Sequence, residues 1–71
     1  MGNVYAISEI VGTSSNSIED AIQQAVNMAG QSIRNLDWFE VTDLRGHIKD
    51  GRVAHYQVAV KIGFRYEGKA G

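Results

Sequence analysis

Between Arg52 and Tyr66 the chain alternates more regularly than anywhere else. Tyr56, Val58, Val60, Ile62 and Phe64 are large and apolar, and His55, Gln57, Lys61 and Arg65 lie between them. A period of two is that of a strand with one buried face. Such a strand needs a pairing neighbour and a layer over its apolar side. Asp50-Gly51, just upstream, is a strong hairpin signal because both residue types tolerate positive φ. The neighbour is then the stretch from about Asp37 to about Ile48.

The covering layer comes earlier. Ile18, Ala21, Ile22, Ala25, Val26, Ala29 and Ile33 recur at the three-four spacing of one helical face, with Gln23, Gln24, Asn27, Gln31 and Arg34 opposite. Ser17 suits the N-cap, and Glu19 and Asp20 fall in the first turn, where the helix dipole favours acids. Arg34 belongs at the C-terminal end on the same grounds, and Asn35 can end the helix in a left-handed conformation. Gly30, inside the helix, costs about 1 kcal/mol relative to alanine; it either permits close helix-to-sheet contact or is simply tolerated. Val4–Val11 is rich in β-formers and reads as a first strand, although Tyr5, Ile7 and Val11 compete with Val4, Ala6 and Ile10 for the buried face. Gly12-Thr13-Ser14-Ser15-Asn16-Ser17 reads as a connector, and Gly68–Gly71 as a fraying tail. The expectation is one α+β domain over residues 1–71, ordered β-α-β-β, with a three-stranded antiparallel sheet wrapped on one helix.

A chain of 71 residues buries only about 60% of its unfolded surface and is marginal alone. Disulfides, a structural metal or oligomerisation are the usual remedies. There is no cysteine, and His47 and His55 lie on strand-like segments without a ligand cluster, so no metal site is expected. Oligomerisation is the favoured remedy. A formal net charge of -1 gives no electrostatic case for nucleic acid. The start, Met1-Gly2-Asn3-Val4-Tyr5, lacks a signal-peptide pattern, and no apolar stretch approaches the roughly 20 residues that span a bilayer. A cytoplasmic protein without membrane partners is expected. Phosphate loops, metalloprotease helices and nucleophile elbows are missing, so catalysis is not expected.

Trp38, the one tryptophan, sits at the mouth of the second strand in Leu36-Asp37-Trp38-Phe39-Glu40. Strict alternation gives it the face of Glu40, Thr42 and Leu44, with Phe39 and Val41 on the other. A direct turn at Asp50-Gly51 pairs Glu40 with Lys61 and Leu44 with Gln57, unless a bulge shifts the register. Trp38 then shares the polar face with Gln57, His55 and Lys61. An indole for stacking and an amide that donates and accepts suit a flat heterocycle. The bland alternative is an interface or core tryptophan and a solvated glutamine.

Glu9-Ile10-Val11-Gly12-Thr13-Ser14, Leu36-Asp37-Trp38-Phe39-Glu40-Val41, Arg45-Gly46-His47, His55-Tyr56-Gln57-Val58 and Val60-Lys61-Ile62-Gly63-Phe64-Arg65 together closely resemble the dodecins, small flavin-binding proteins. The resemblance spans nearly the whole chain. It implies a hollow dodecamer of tetrahedral symmetry that stacks flavin pairs (FMN, riboflavin or FAD) between symmetry-related Trp38 indoles. It also implies that Gln57 hydrogen-bonds the isoalloxazine edge and that Arg45 serves the FMN phosphate. Because strict alternation puts Arg45 opposite Trp38, it must act from another subunit or after a twist. Some members bind coenzyme A, for which Arg65 and the helix end near Arg34 are the candidates. The implied function is flavin storage and photoprotection; a flavin-dependent oxidoreductase and a ligand-free structural oligomer are the alternatives.

Overall fold

The computed structural model describes residues 3–66, and the tail Gly68–Gly71 lies outside them. The elements are β1 (Tyr5–Ser14), α1 (Ile18–Ser32), β2 (Leu36–Lys49) and β3 (Arg52–Arg65). The sheet order is β1-β3-β2, with both pairings antiparallel. The strand with the cleanest alternation thus lies in the middle, between two strands that run parallel to each other and are linked through the helix.

The helix packs on β1 and β3. Its contact stripe is made of small residues, Ala21, Ala25 and Ala29, all buried against Val58, Val60 and Ile62 of β3. Small side chains let the helix axis come close to the sheet. The glycine that makes this possible is Gly12 in β1, where a Cβ would run into the Ala21 carbonyl and meet the Ala25 Cβ at 3.0 Å. Gly30 has no such role, because a Cβ there meets only Leu36 Cδ1 at 3.7 Å, an ordinary contact. The open question about β1 is settled by its register: Ala6, Ile10 and Gly12 face the helix opposite Phe64, Val60 and Val58, and Tyr5, Ile7 and Val11 face outward.

Gly12, Thr13 and Ser14 are strand residues and not a connector, because β3 continues far enough to pair with all three. The true connector is held by Ser14. Its buried hydroxyl donates to Asp20 Oδ2 at 2.6 Å and accepts from the Asn16 amide at 2.9 Å. The Asp20 amide donates to Ser17 Oγ at 2.9 Å, completing the N-cap. At the other end, Ile33 is already extended and only closes the helix through its amide to Ala29 O at 2.8 Å. Arg34 therefore lies beyond the helix and not in its last turn, and Asn35 (φ 64) shapes the turn into β2 instead of capping the helix.

The strands β2 and β3 outrun the helix. The molecule measures 58 × 20 × 13 Å with a radius of gyration of 14.9 Å, against about 11 Å for a compact chain of this length. No helix covers the apolar row Phe39, Val41 and Leu44 of β2, and each is roughly half exposed. An exposed apolar row of this kind marks a surface suited to contact with other protein. Asp50 (φ 53) and Gly51 (φ 76) form the expected tight turn, both in the left-handed region. Among the described residues no helix is long and apolar enough to cross a membrane.

Candidate ligand-binding face of the sheet

The face turned away from the helix carries Trp38, Arg45 and Gln57. Three register shifts decide this. They fall between Leu36 and Trp38, between Val41 and Asp43, and between His47 and Ile48 on β2. In the last shift the extra residue is Ala54 of β3; in the other two it is Asp37 and Thr42 of β2. The Ala54 and Thr42 bulges offset each other, so Glu40 pairs with Lys61 as a direct turn predicts. Between the bulges the register is displaced by one residue. Leu44 therefore pairs with Val58 and faces the helix side, and Arg45 pairs with Gln57. Arg45 thus needs no other subunit or twist to share a face with Trp38 and Gln57. Thr42 stabilises the bulge it creates: its hydroxyl lies 3.2 Å from the Ala59 carbonyl and 3.4 Å from Glu9 Oε2.

Trp38 lies over β3 at Gly63, its register partner. A Cβ on Gly63 would fall among Cζ2, Cε2 and Cη2 of the indole, so the six-membered ring occupies the space a side chain would need. Tyr5, from the far strand, backs the ring at a centroid distance of 5.2 Å and a tilt of 57°, within the range of favourable aromatic pairs. The indole remains 42% exposed. It is held in place by Gly63 and Tyr5 while keeping surface free for stacking. Sequence reasoning missed both supports, although a glycine inside an unbroken strand is a signal for close approach.

Arg45 is exposed and ion-paired with Asp43, Nη2 to Oδ2 at 2.9 Å. At such exposure the pair contributes little to stability. Gln57 is half-buried beside it. Trp38 and Gln57 are not brought together within one chain. Gly63 and Gln57 are six positions apart on β3, a distance of about 20 Å along a strand. That is farther than a fused three-ring system reaches. Arg34 and Arg65 line one hollow of about 360 Å³ with Ser32, Ile33, Asn35 and Phe64. No group of three or more metal-ligating side chains occurs among the described residues.

The dodecin family model matches residues 4–67. The chain belongs to the dodecin family. It is 49% identical over 67 residues to the dodecin of Thermus thermophilus, covering 94% of this chain and 97% of that one. The solved dodecin of Streptomyces coelicolor superimposes with a TM-score of 0.89 at 51% identity, covering 94% and 96% of the two chains. A Thermus thermophilus protein of known structure gives a TM-score of 0.91 at 47% identity over 96% of this chain and all of that one, 100%. The β-α-β-β fold is that of the dodecins, a family of small binding proteins, and the family suggests an oligomeric assembly for the exposed arm.

Proposed function

We propose that the chain stores and sequesters flavin, holding pairs of rings between Trp38 indoles of neighbouring copies in a hollow dodecamer. The observation that carries the reading is Trp38 itself, seated on Gly63, backed by Tyr5 and still open. A rigid, half-exposed indole fits a flat aromatic ligand. The site residues also match the chemistry of a flavin's edges. Gln57 both donates and accepts, as the ring's pyrimidine-like edge requires, and Arg45 offers a guanidinium for a phosphate. The separation of Trp38 from Gln57 supports a site shared between copies, which symmetry supplies without a second motif.

A bound flavin supplies a flat, light-absorbing and redox-active ring. Each remaining part of the mechanism belongs to the chain. Trp38 excludes water from the ring face by stacking. Its indole can donate an electron to the excited ring in contact with it and take the electron back, leaving no net chemistry. That return path quenches fluorescence and suppresses photochemistry. Walls of indole also leave no open position for a second substrate, which favours sequestration over an oxidoreductase. The hollow shared by Arg34 and Arg65 supports one extension, a site for the phosphates of coenzyme A, and Arg65→Ala should then weaken coenzyme A binding without changing flavin quenching.

The deciding experiment is a fluorescence titration of FMN with the wild-type protein and with Trp38→Ala at matched oligomeric size. Strong quenching by the wild type and its loss in the variant is expected. If both remain assembled and leave FMN bright, the flavin site is wrong and Trp38 is an interface residue. Steady turnover of bound flavin with a defined donor would instead favour the oxidoreductase.

A further inference from the structure

His47 and His55 are eight positions apart in sequence, and nothing in that spacing suggests a site. The fold makes them direct cross-strand partners on the outer face of the β2-β3 arm. Their rings stack with centroids 5.4 Å apart and planes within 13° of parallel. His47 is exposed and His55 half-buried, and among the described residues neither imidazole engages a hydrogen bond or ion pair. The Ala54 bulge lies immediately beside His55; bulges of this kind re-aim neighbouring side chains. We propose that His47 and His55 form a two-imidazole site for a late first-row divalent transition metal ion, with copper(II) bound most tightly and nickel(II) and zinc(II) after it.

The chemistry follows from the geometry. A metal–imidazole bond is about 2.0–2.1 Å, so two nitrogens must approach within about twice that length. Stacked rings direct their in-plane lone pairs side by side, so sharing one ion requires both to turn, which the broad and soft χ2 torsion of histidine allows. The strands fix both Cα positions, so the second ligand costs little further ordering. The remaining coordination positions go to water. The charges around the pair set its selectivity. Lys49 and Arg52 form the last cross-strand pair before the turn, and Arg45 is the next outward-facing residue in the other direction, tied to Asp43. A hard cation held only by charge is repelled there, so calcium and magnesium do not bind. An ion with strong affinity for neutral imidazole tolerates those neighbours. The site is independent of the flavin reading.

The test uses the full chain in its assembled form, free of tags. Calorimetric titration with copper(II), nickel(II), zinc(II) and magnesium is run on wild type, His47→Gln and His55→Gln. Because even outer-shell losses cost about 10–100-fold in metal affinity, loss of either ligand should lower copper affinity by about tenfold or more. Copper-bound wild type should show two equivalent imidazole nitrogens by electron paramagnetic resonance, and each variant one at most. Zinc should raise the thermal midpoint of the wild type and not of the variants. Circular dichroism of the variants confirms retained fold. Unchanged copper affinity in either variant, a single nitrogen in the wild type, or equal binding of magnesium would overturn the proposal.

Discussion

Gly63→Ala tests how Trp38 is held. The added methyl falls inside the six-membered ring of the indole, and a fused ring cannot bend aside as a flexible chain end would. Either the indole leaves β3 or the two strands deform. Forced overpacking costs about 1–3 kcal/mol. Displacing the indole exposes on the order of 100 Å² of apolar surface, which at about 25 cal/mol per Å² amounts to about 2.5 kcal/mol. Alanine recovers roughly 0.5–1 kcal/mol through its lower backbone entropy loss in a strand. The net expectation is a loss of about 1–3 kcal/mol. Urea unfolding at fixed protein concentration measures it, since assembly makes the midpoint concentration-dependent. Trp38 is the one tryptophan, so its emission reports the ring directly and should shift to the red. An unchanged midpoint together with unchanged emission would refute the seating of the indole on Gly63.

The other glycines should separate by mechanism. Gly12→Ala drives a methyl into the Ala21 carbonyl, a backbone atom that cannot yield, and should lower stability by about 1–3 kcal/mol in the same unfolding assay. Gly30→Ala meets only Leu36 at 3.7 Å and should raise stability by up to about 1 kcal/mol through helix propensity. Gly51→Ala forces a left-handed φ of 76° on a residue with a Cβ and should cost about 1–2 kcal/mol, read as a lower urea midpoint.

Elements whose physics is local were legible in the sequence. The alternation of β3, the alanine-rich helical stripe, the Ser17 cap and the Asp50-Gly51 turn all stand where the pattern places them. The faces of β2 were not legible. Asp37, Thr42 and Ala54 bulge out of the ladder, and none carries a marker that separates it from an ordinary strand residue. Counting by two therefore assigned Leu44 and Arg45 to each other's faces, while the cancelling bulges left Glu40 and Lys61 correctly paired. Pair relations across the sheet were equally hidden. Gly12 looks like turn punctuation until the Ala21 carbonyl is seen above it, and Tyr5 reaches Trp38 only because β3 brings the two outer strands within range.

The distance between Trp38 and Gln57 bears on assembly as well as on binding. A single fused-ring ligand that stacked on one and hydrogen-bonded the other would have to touch two copies of the chain. Such a ligand binds the assembled state and not the separate protomer, and it shifts the assembly equilibrium in proportion to that difference. The same arm that carries Arg45 and Gln57 also leaves Phe39, Val41 and Leu44 half exposed on its reverse side. On the flavin reading, one face of the arm is covered by protein and the other presents ligand contacts. Covering the apolar side would then fix the position of the polar side relative to a neighbour's Trp38. On this reading a long, bare hairpin that would be a liability in a monomer is the device that builds a shared site. On the same reading the small core of helix alanines on β3 aliphatics need not hold the protomer by itself.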